Sequence, residues 1–520
     1  MKLTILATSD THGFIPPTNF VELEENKPYG LEKASSVISQ YKAEHPDEIV
    51  ITVDNGDFLE GSPLAYFTAK RARPIQRESF TDAYNQVHYD VGTIGNHEFD
   101  FGLNYLEDAM ANSDRQFLCA NIVDNDENPL IGEPYQIIQR AGIKIGILGL
   151  TTTSARKWKN INQLNNFHLL SAVKTAQRYV PYLQKHADVV IVVYHGGFER
   201  DTSGTWTDIT PPGENEGYAL LEQVPGIDAL ITGHQHRKLA GELFGVPYIQ
   251  PGGHRGGEFV GKISLELEKQ TSFILENSAE LLPCTDVDID PNVAASIQPL
   301  KHTLEEWLDQ PLAKIVGDLT FSDPNAARKS ETAFIEFIQR VQMAAMHTDI
   351  SATALYNNEA HGFENPITMR NVITNYVYPN SLAVVKVTGE DLRAALEVSA
   401  QYFSLDDAGK VIVNPRFMFP KHRFYNYDMY EGVDYTLDIS KPVGQRVTEL
   451  KYHGADLMDD EVLEIALNKY RATGGGHYPM FDESKIVRTN PTIMSQLIFE
   501  YLKVNPVVVA TNNHNFKVIG

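Results

Sequence analysis

The first half of the chain repeats one pattern, in which a short apolar run ends in polar, glycine-rich residues. Continuous Val, Ile and Leu runs of this length are typical of strands buried on both faces of a parallel sheet. Helical stretches over residues 31–45 and 171–185 fall between the runs. Strands that alternate with helices predict an α/β architecture. The runs occupy residues 2–8, 49–53, 91–94, 144–150, 189–194 and 228–232.

The pattern changes after residue 256. Residues 256–275 favour antiparallel strands, and residues 291–312 have helical periodicity after a start signal at Asp290-Pro291. The turn cluster at 322–325 is the best candidate linker, and a second helix is expected over residues 330–347. The remainder mixes strands and helices, which predicts a smaller α/β or α+β domain.

A length of 520 residues corresponds to two or three domains. We expect a first domain over residues 1–288, a connecting helix and hinge over 289–329, and a second domain over 330–520. The segment 322–330 is the expected hinge, about which the two domains would close over a bound ligand.

The chain is acidic, with 44 Lys and Arg against 68 Asp and Glu and a formal net charge of −24. This charge disfavours binding to duplex nucleic acid, although bound cations can still attract a nucleotide to a local site. Cys119 and Cys284 are expected to be buried thiols, since two distant cysteines build neither a disulfide framework nor a metal site.

No apolar segment approaches the ~18 residues of a membrane span, and the N-terminal run is too short for a signal peptide. These features predict a cytoplasmic protein. An exported protein that had lost its signal would have the same sequence pattern.

Five of the apolar runs end in clusters of metal-binding residue types. Ligands of open α/β sheets bind beyond the carboxyl ends of the strands. Mixed Asp, Asn and His donors suit Mn, Zn, Fe or Co. Each cluster alone has a structural alternative, such as a turn at Asp10 or a helix N-cap at Asn96, but all five in order favour a metal centre. The clusters are SDTHG at 9–13, DNGD at 54–57, GNHEFD at 95–100, YHGG at 194–197 and TGHQH at 232–236.

Together the five clusters resemble the calcineurin-like metallophosphoesterase superfamily, and the forms GNHEFDFG, DNGDFLEGSP and TGHQH resemble its 5′-nucleotidase branch. The resemblance covers nearly the whole chain. It implies a four-layer αββα metallophosphoesterase domain, followed by a smaller nucleotide-recognition domain. It also implies two divalent cations that share the carboxylate of Asp57, with His97 beside the phosphate and oriented by Asp100. The implied ligands are Asp10, His12, Asp57 and His236 for one cation, and Asp57, Asn96, His195 and His234 for the other.

These residue types fit the expected chemistry. A pair of cations clamps phosphoryl oxygens and activates water for attack on phosphorus in line with the leaving oxygen. A nearby histidine then stabilises charge or protonates the leaving group.

The second half carries two motifs that resemble the family's base-binding motifs, YVYPN at 376–380 and NKYRATGGG at 468–476. The resemblance implies that Tyr378 and Tyr470 sandwich the base. Core packing is the structural alternative for both tyrosines. The stretch 356–362, with Asn357 and Asn358, corresponds to the family's substrate-binding N-G-G-G-I-R-like segment but has no arginine.

Gly476 also stands where 5′-nucleotidases carry an aspartate. The forms YVYPN at 376–380 and YRA at 470–472 instead resemble the 2′,3′-cyclic-nucleotide 2′-phosphodiesterase/3′-nucleotidase branch. We therefore expect phosphate release from 5′-nucleotides, from 2′,3′-cyclic and 3′-nucleotides, or from both. The alternatives are a UDP-sugar hydrolase of the same family, a catalytically silent nucleotide-binding protein and a DNA-cleaving metallonuclease.

Overall fold

The computed structural model describes the chain except residues 23–24, 158–166, 208–211, 253–256, 270, 377, 379 and 419–421. Gly256, Val377 and Pro379, which belong to patterns interpreted above, lie outside the described residues. The chain forms two compact units, Met1–Leu304 and Glu305–Gly520. Over the described residues, no helix combines the length and hydrophobicity needed to cross a membrane.

The first unit alternates strands with helices, as its apolar runs predict. Its strands are β1 (Lys2–Thr8), β2 (Ile49–Asp54), β3 (Val91–Thr93), β4 (Gln116–Leu118), β5 (Ile122–Val123), β6 (Tyr135–Arg140), β7 (Ile143–Thr151), β8 (His168–Leu169), β9 (Val189–His195), β10 (Ala229–Ile231), β11 (Lys238–Leu243), β12 (Val246–Pro251), β13 (Phe259–Leu267) and β14 (Ile274–Pro283). Its helices are α1 (Leu31–Glu44), α2 (Pro63–Lys70), α3 (Pro74–Asn85), α4 (Leu103–Ala111), α5 (Ala172–His186), α6 (Gly217–Gln223) and α7 (Pro291–Leu308), the last of which runs across the unit boundary.

Two sheets pack face to face in the first unit. One has the strand order β14-β13-β1-β2-β3-β4, and the other has the order β11-β12-β10-β9-β7-β6. Apolar side chains from both, such as Ile5, Ile51, Ile147 and Ile191, form one buried cluster between them. α5 and α6 cover the outer face of the second sheet, and α1 lies against β13 of the first. The predicted four-layer αββα architecture is confirmed.

The strand directions bring the polar loops together. β1, β2 and β3 run parallel as neighbours, with Thr8 paired to Asp54 and Asp54 to Gly92. β7, β9 and β10 are parallel neighbours in the other sheet. Parallel neighbours end at the same edge of a sheet, so the residues that follow them collect there.

The second unit is built around a mixed sheet of order β23-β17-β27-β20-β28, against which α9 packs. Its strands are β15 (Pro311–Val316), β16 (Leu319–Thr320), β17 (Ile350–Thr353), β18 (Gly362–Phe363), β19 (Ile367–Thr368), β20 (Ser381–Thr388), β21 (Phe403–Leu405), β22 (Val411–Val413), β23 (Met429–Glu431), β24 (Val433–Asp438), β25 (Val447–Tyr452), β26 (Ala455–Asp456), β27 (Val462–Asn468), β28 (Ile486–Ile493), β29 (Val507–Val509) and β30 (Phe516–Ile519). Its helices are α8 (Pro324–Lys329), α9 (Ala333–Met346), α10 (Met369–Asn375), α11 (Gly389–Ala400), α12 (Lys469–Ala472) and α13 (Met494–Val504).

Two local predictions are wrong. The helix expected to reach residue 312 ends at Leu308, because residues 311–316 instead form β15, which pairs antiparallel with β19 at its start and parallel with β29 at its end. The turn expected at 322–325 is the start of α8, where Asp323 accepts a hydrogen bond from the backbone N–H of Asn325. Arg328 on this helix is buried within the second unit. The domain boundaries, the hinge and the domain closure stay predictions.

Candidate metal centre

The first group of predicted ligands lies at the ends of β1 and β10. Asp10, His12 and His236 each offer a ligand atom, and these atoms lie within 4.8 Å of one another. His236 Nε2 is 3.3 Å from Asp10 Oδ1 and 3.0 Å from His12 Nε2. A carboxylate oxygen and two imidazole nitrogens therefore converge on one point.

The second group lies beside the first. Asp57, His195 and His234 have ligand atoms within 4.8 Å of one another. His195 Nε2 lies 3.1 Å from Asp57 Oδ2 and 4.0 Å from Asp10 Oδ1 of the first group. The two groups are thus adjacent, and a carboxylate from each approaches the same imidazole.

Asn96 extends the second group. It directly precedes His97, whose backbone N–H donates a 2.7 Å hydrogen bond to Asp57 Oδ1. Asn96 Oδ1 is buried and accepts no hydrogen bond from any described residue. Because a buried polar oxygen without a partner is costly, this atom fits a cation ligand.

Five of the proposed metal ligands have positive φ angles. Residues other than glycine rarely adopt positive φ, and such conformations collect at functional sites. Gly95 supports the arrangement, because a Cβ atom there would overlap Asp57 Oδ1. The φ angles are 55° at Asp10, 50° at His12, 55° at Asp57, 66° at His234 and 55° at His236.

Hydrogen bonds on the far side of the rings set their orientation. His12 Nδ1 lies 2.8 Å from the backbone oxygen of Glu60, and His195 Nδ1 lies 2.6 Å from that of Asn55. An acceptor on one ring nitrogen fixes the tautomer and points the other nitrogen toward a metal. Both rings are therefore positioned to offer Nε2.

The charge of the pocket favours cations. Burial alone would lower the pKa of His195, but Asp57 and Asp10 outweigh it and raise that pKa to about 10. Burial likewise would raise the pKa of Asp57, yet His195 and His97 hold it well below its usual value. The buried carboxylates thus stabilise positive charge strongly, and divalent cations supply it in such sites.

His97 and Asp100 form a pair next to this centre. His97 Nδ1 lies 2.8 Å from Asp100 Oδ2 and 3.1 Å from Glu60 Oε2. Its ring is edge-on to that of His12, with centroids 5.3 Å apart. Burial alone would lower the pKa of His97, but Asp57 and Asp100 raise it well above its usual value.

Three carboxylates at the site were not predicted from the sequence. Glu60 contacts His97, and Glu214 Oε1 lies 3.1 Å from His234 Nε2. Glu98 is buried and accepts backbone hydrogen bonds from Gly95 and Asp57, at 2.6 and 2.8 Å. Its place inside GNHEFD was a signal for such a role, whereas Glu214 lies in no recognisable motif.

The predicted base-binding residues lie in the second unit. Tyr470 on α12 is 48% exposed, and Tyr378 is half-buried. Tyr356 connects their two motifs. Its ring is edge-on to Tyr378 at 6.2 Å, and its hydroxyl accepts a 2.8 Å hydrogen bond from Asn468, which caps α12.

Asn357 and Asn358 hold their own loop. Asn357 Nδ2 donates to the Thr374 backbone oxygen at 2.7 Å. Asn358 Oδ1 accepts from Arg328 Nη2 at 2.7 Å. Both amides are thus engaged within the second unit, and their part in substrate binding stays a prediction.

Comparison with known proteins agrees with this arrangement. The family model of the calcineurin-like phosphoesterases matches residues 3–238, and that of the 5′-nucleotidase C-terminal domain matches residues 313–483. A solved structure of a candidate 5′-nucleotidase from Staphylococcus aureus is 36% identical, with a TM-score of 0.89 over all of both chains.

Two curated relatives are 2′,3′-cyclic-nucleotide 2′-phosphodiesterase/3′-nucleotidases. The protein from Haemophilus influenzae is 28% identical over 99% of this chain and 86% of its own length. The protein from Salmonella typhimurium is also 28% identical, over 91% of this chain and 82% of its own length.

Proposed function

Because the chain belongs to the 5′-nucleotidase family of calcineurin-like metallophosphoesterases, we propose that it releases phosphate from nucleotides at a dinuclear metal centre. The observation that carries this proposal is the adjacency of the two Asp/His groups, in which Asp57 and Asp10 both approach His195 Nε2. Two cations bound so close together act on one phosphoryl group.

The proposed ligands divide between two cations that share Asp57. When bound, the cations supply Lewis-acid stabilisation of the phosphoryl oxygens and activation of the attacking water. The oxygen and imidazole donors suit Mn, Zn, Fe or Co. The first set is Asp10, His12, Asp57 and His236, and the second is Asp57, Asn96, His195 and His234.

His97 is proposed to act on the substrate. Asp100 and Glu60 hold its Nδ1, so Nε2 is the atom that would carry a proton toward the leaving oxygen. In the reaction, water oxygen forms a bond to phosphorus as the bond to the leaving oxygen breaks. The leaving oxygen takes up the proton.

Tyr378 and Tyr470 are proposed to hold the base. An exposed tyrosine ring such as that of Tyr470 offers a face for stacking, which contributes about 1–3 kcal/mol per base. The link through Tyr356 and Asn468 supports a single recognition surface formed by both motifs.

The proposed preference is for 2′,3′-cyclic and 3′-nucleotides, which are hydrolysed at least as well as AMP. Gly476 replaces the aspartate of 5′-nucleotidases, and a Cβ atom there would overlap Arg471 Nη1 and Asn426 Oδ1. Arg471 is already paired with Asp428, at 2.6 Å between Nε and Oδ2. An aspartate at position 476 would therefore displace the ends of Arg471 and Asn426, and this supports recognition that differs from that of 5′-nucleotidases.

A hydrolysis assay with Mn²⁺ tests the proposal, comparing AMP, 3′-AMP, 2′,3′-cyclic AMP and a nucleotide sugar. Nucleotide products are measured together with released phosphate, because the first hydrolysis of the cyclic substrate or of the nucleotide sugar yields phosphate esters and no free phosphate. We expect turnover of the cyclic and 3′-substrates at or above that of AMP. A strong preference for AMP would contradict the proposed phosphate position, preference for the nucleotide sugar would favour the sugar-hydrolase alternative, and no turnover would favour the silent binding protein.

A further inference from the structure

His234 differs from His12 and His195 in what holds its ring. Those two rings rest on backbone oxygens, of Glu60 and Asn55. His234 Nε2 instead lies 3.1 Å from the side-chain oxygen Oε1 of Glu214. A carboxylate is a stronger hydrogen-bond acceptor than a carbonyl because it carries charge. Unlike a backbone oxygen, it can also be removed by a side-chain substitution.

Glu214 is fixed in place by the elements around it. Its backbone oxygen accepts hydrogen bonds from Thr152 Oγ1 at 2.6 Å and from the Tyr194 hydroxyl at 3.2 Å. The next residue, Asn215, accepts a 2.7 Å hydrogen bond from the backbone N–H of Gly197. The loop is thereby anchored to the end of β9, the strand that carries His195.

Glu214 stands outside the ligand group itself. Among the described residues, the group whose ligand atoms lie within 4.8 Å of one another contains Asp57, His195 and His234 but not Glu214. The carboxylate contacts His234 without belonging to the group, as the outer partner of a carboxylate–histidine–metal arrangement does.

We propose that Glu214 is a positioning residue for one of the two cations. By accepting a hydrogen bond from Nε2–H of His234, it selects the tautomer in which Nδ1 carries the lone pair and is left for the cation, and its charge makes that nitrogen a stronger donor. The inference rests on the proposed function, since it concerns the cation held by the second ligand set. The first set, with Asp10, His12 and His236, does not depend on Glu214.

The test is Mn²⁺ binding to the full chain after metal removal with a chelator. Calorimetric titration gives the affinity of each ion, and electron paramagnetic resonance distinguishes a spin-coupled Mn pair from a single ion. Glu214→Ala should bind one ion with wild-type affinity and the other about 10–100-fold more weakly. At one ion per chain, its spectrum should be that of isolated Mn²⁺.

Two variants separate positioning from structure. Glu214→Gln keeps an oxygen acceptor without the charge, so its loss of affinity should be smaller than that of Glu214→Ala. Glu216→Gln is the control. The Glu216 carboxylate accepts hydrogen bonds from Ser171 Oγ and the backbone N–H of Ala172. This variant should bind both ions as the wild type does.

Wild-type affinity for both ions in Glu214→Ala would overturn the inference. An equal loss of affinity for both ions would show that the substitution acts through the fold, and so would a lower melting temperature of metal-free Glu214→Ala. Either result would also overturn the inference. A wild-type chain that binds fewer than two ions would contradict the proposed function itself.

Discussion

His195 Nε2 lies 3.1 Å from Asp57 Oδ2, and both side chains are buried. The other carboxylate oxygen of Asp57, Oδ1, accepts a 2.7 Å hydrogen bond from the backbone N–H of His97. One carboxylate thus connects the second ligand group to the residue proposed to act on the substrate. A change at Asp57 should affect binding of both cations and catalysis together.

Asp57→Asn should abolish turnover without unfolding the chain. The amide keeps the size of the side chain but loses the charge that both proposed cations share. Cation stabilisation of phosphoryl charge is worth several kcal/mol, so we expect a loss of more than about 100-fold. Phosphate release at saturating Mn²⁺ measures it, with Asp82→Asn on the exposed face of α3 as control. Activity within about tenfold of wild type would exclude a bridging role.

His97→Ala should lower kcat by about 10²–10⁴-fold and leave metal content unchanged. The reason is that His97 belongs to neither of the two proposed ligand sets; it clusters instead with Asp100 and Glu60, whose carboxylates hold its Nδ1. Kinetics and elemental analysis of the same preparation give both quantities. Loss of one ion from the variant would instead make His97 a ligand.

Tyr470→Ala should raise KM for nucleotides by about 5- to 150-fold, which corresponds to the 1–3 kcal/mol of base stacking. KM for an alkyl phosphate, which has no base, should stay unchanged. Tyr182→Ala, which removes a similarly exposed tyrosine on α5, serves as control. An equal rise in KM for both substrates would show that Tyr470 does not recognise the base.

Glu331 should make stability depend on pH. Burial and the neighbouring Glu431 carboxyl raise its pKa from 4.5 to about 8, with Glu336 adding to the effect. A carboxyl whose pKa is raised by folding contributes stability that is present below pH 4.5 and is lost as pH rises through 8.

Thermal unfolding at pH 5 and pH 9 tests this contribution. Glu331→Gln cannot ionise, so the difference in melting temperature between the two pH values should be smaller in the variant than in the wild type. An identical pH dependence in both proteins would show that Glu331 ionises normally in the folded chain.

Strand-forming runs were the most predictable part of this chain. β1 has the predicted bounds, and β2 and β9 each extend one residue beyond them. Continuous apolar runs define buried parallel strands almost without help from tertiary structure. The sequence also predicted that Asp10, Asp57 and His195 lie close together, because residues that follow parallel strands gather at one edge of the sheet.

The errors lie where distant pairing overrides local pattern. Residues 311–312 continue a helical periodicity, but antiparallel pairing of Pro311 with Thr368 and of Ala313 with Ile367, on β19, takes this stretch into a strand. Glu214 was not predicted for a similar reason. Its contact with His234 depends on a loop anchored by Tyr194 and Asn215, and no spacing in the sequence encodes that contact.

The most direct measurement of the central claim is hydrolysis of 2′,3′-cyclic AMP to 3′-AMP and phosphate, with both products followed, during stepwise addition of Mn²⁺ to the metal-free chain. The account predicts little turnover before metal is added, and full turnover only when two ions are bound per chain. It also predicts that Asp57→Asn stays inactive throughout the titration. Full activity in the metal-free protein, or at one ion per chain, would contradict a dinuclear centre built on Asp57.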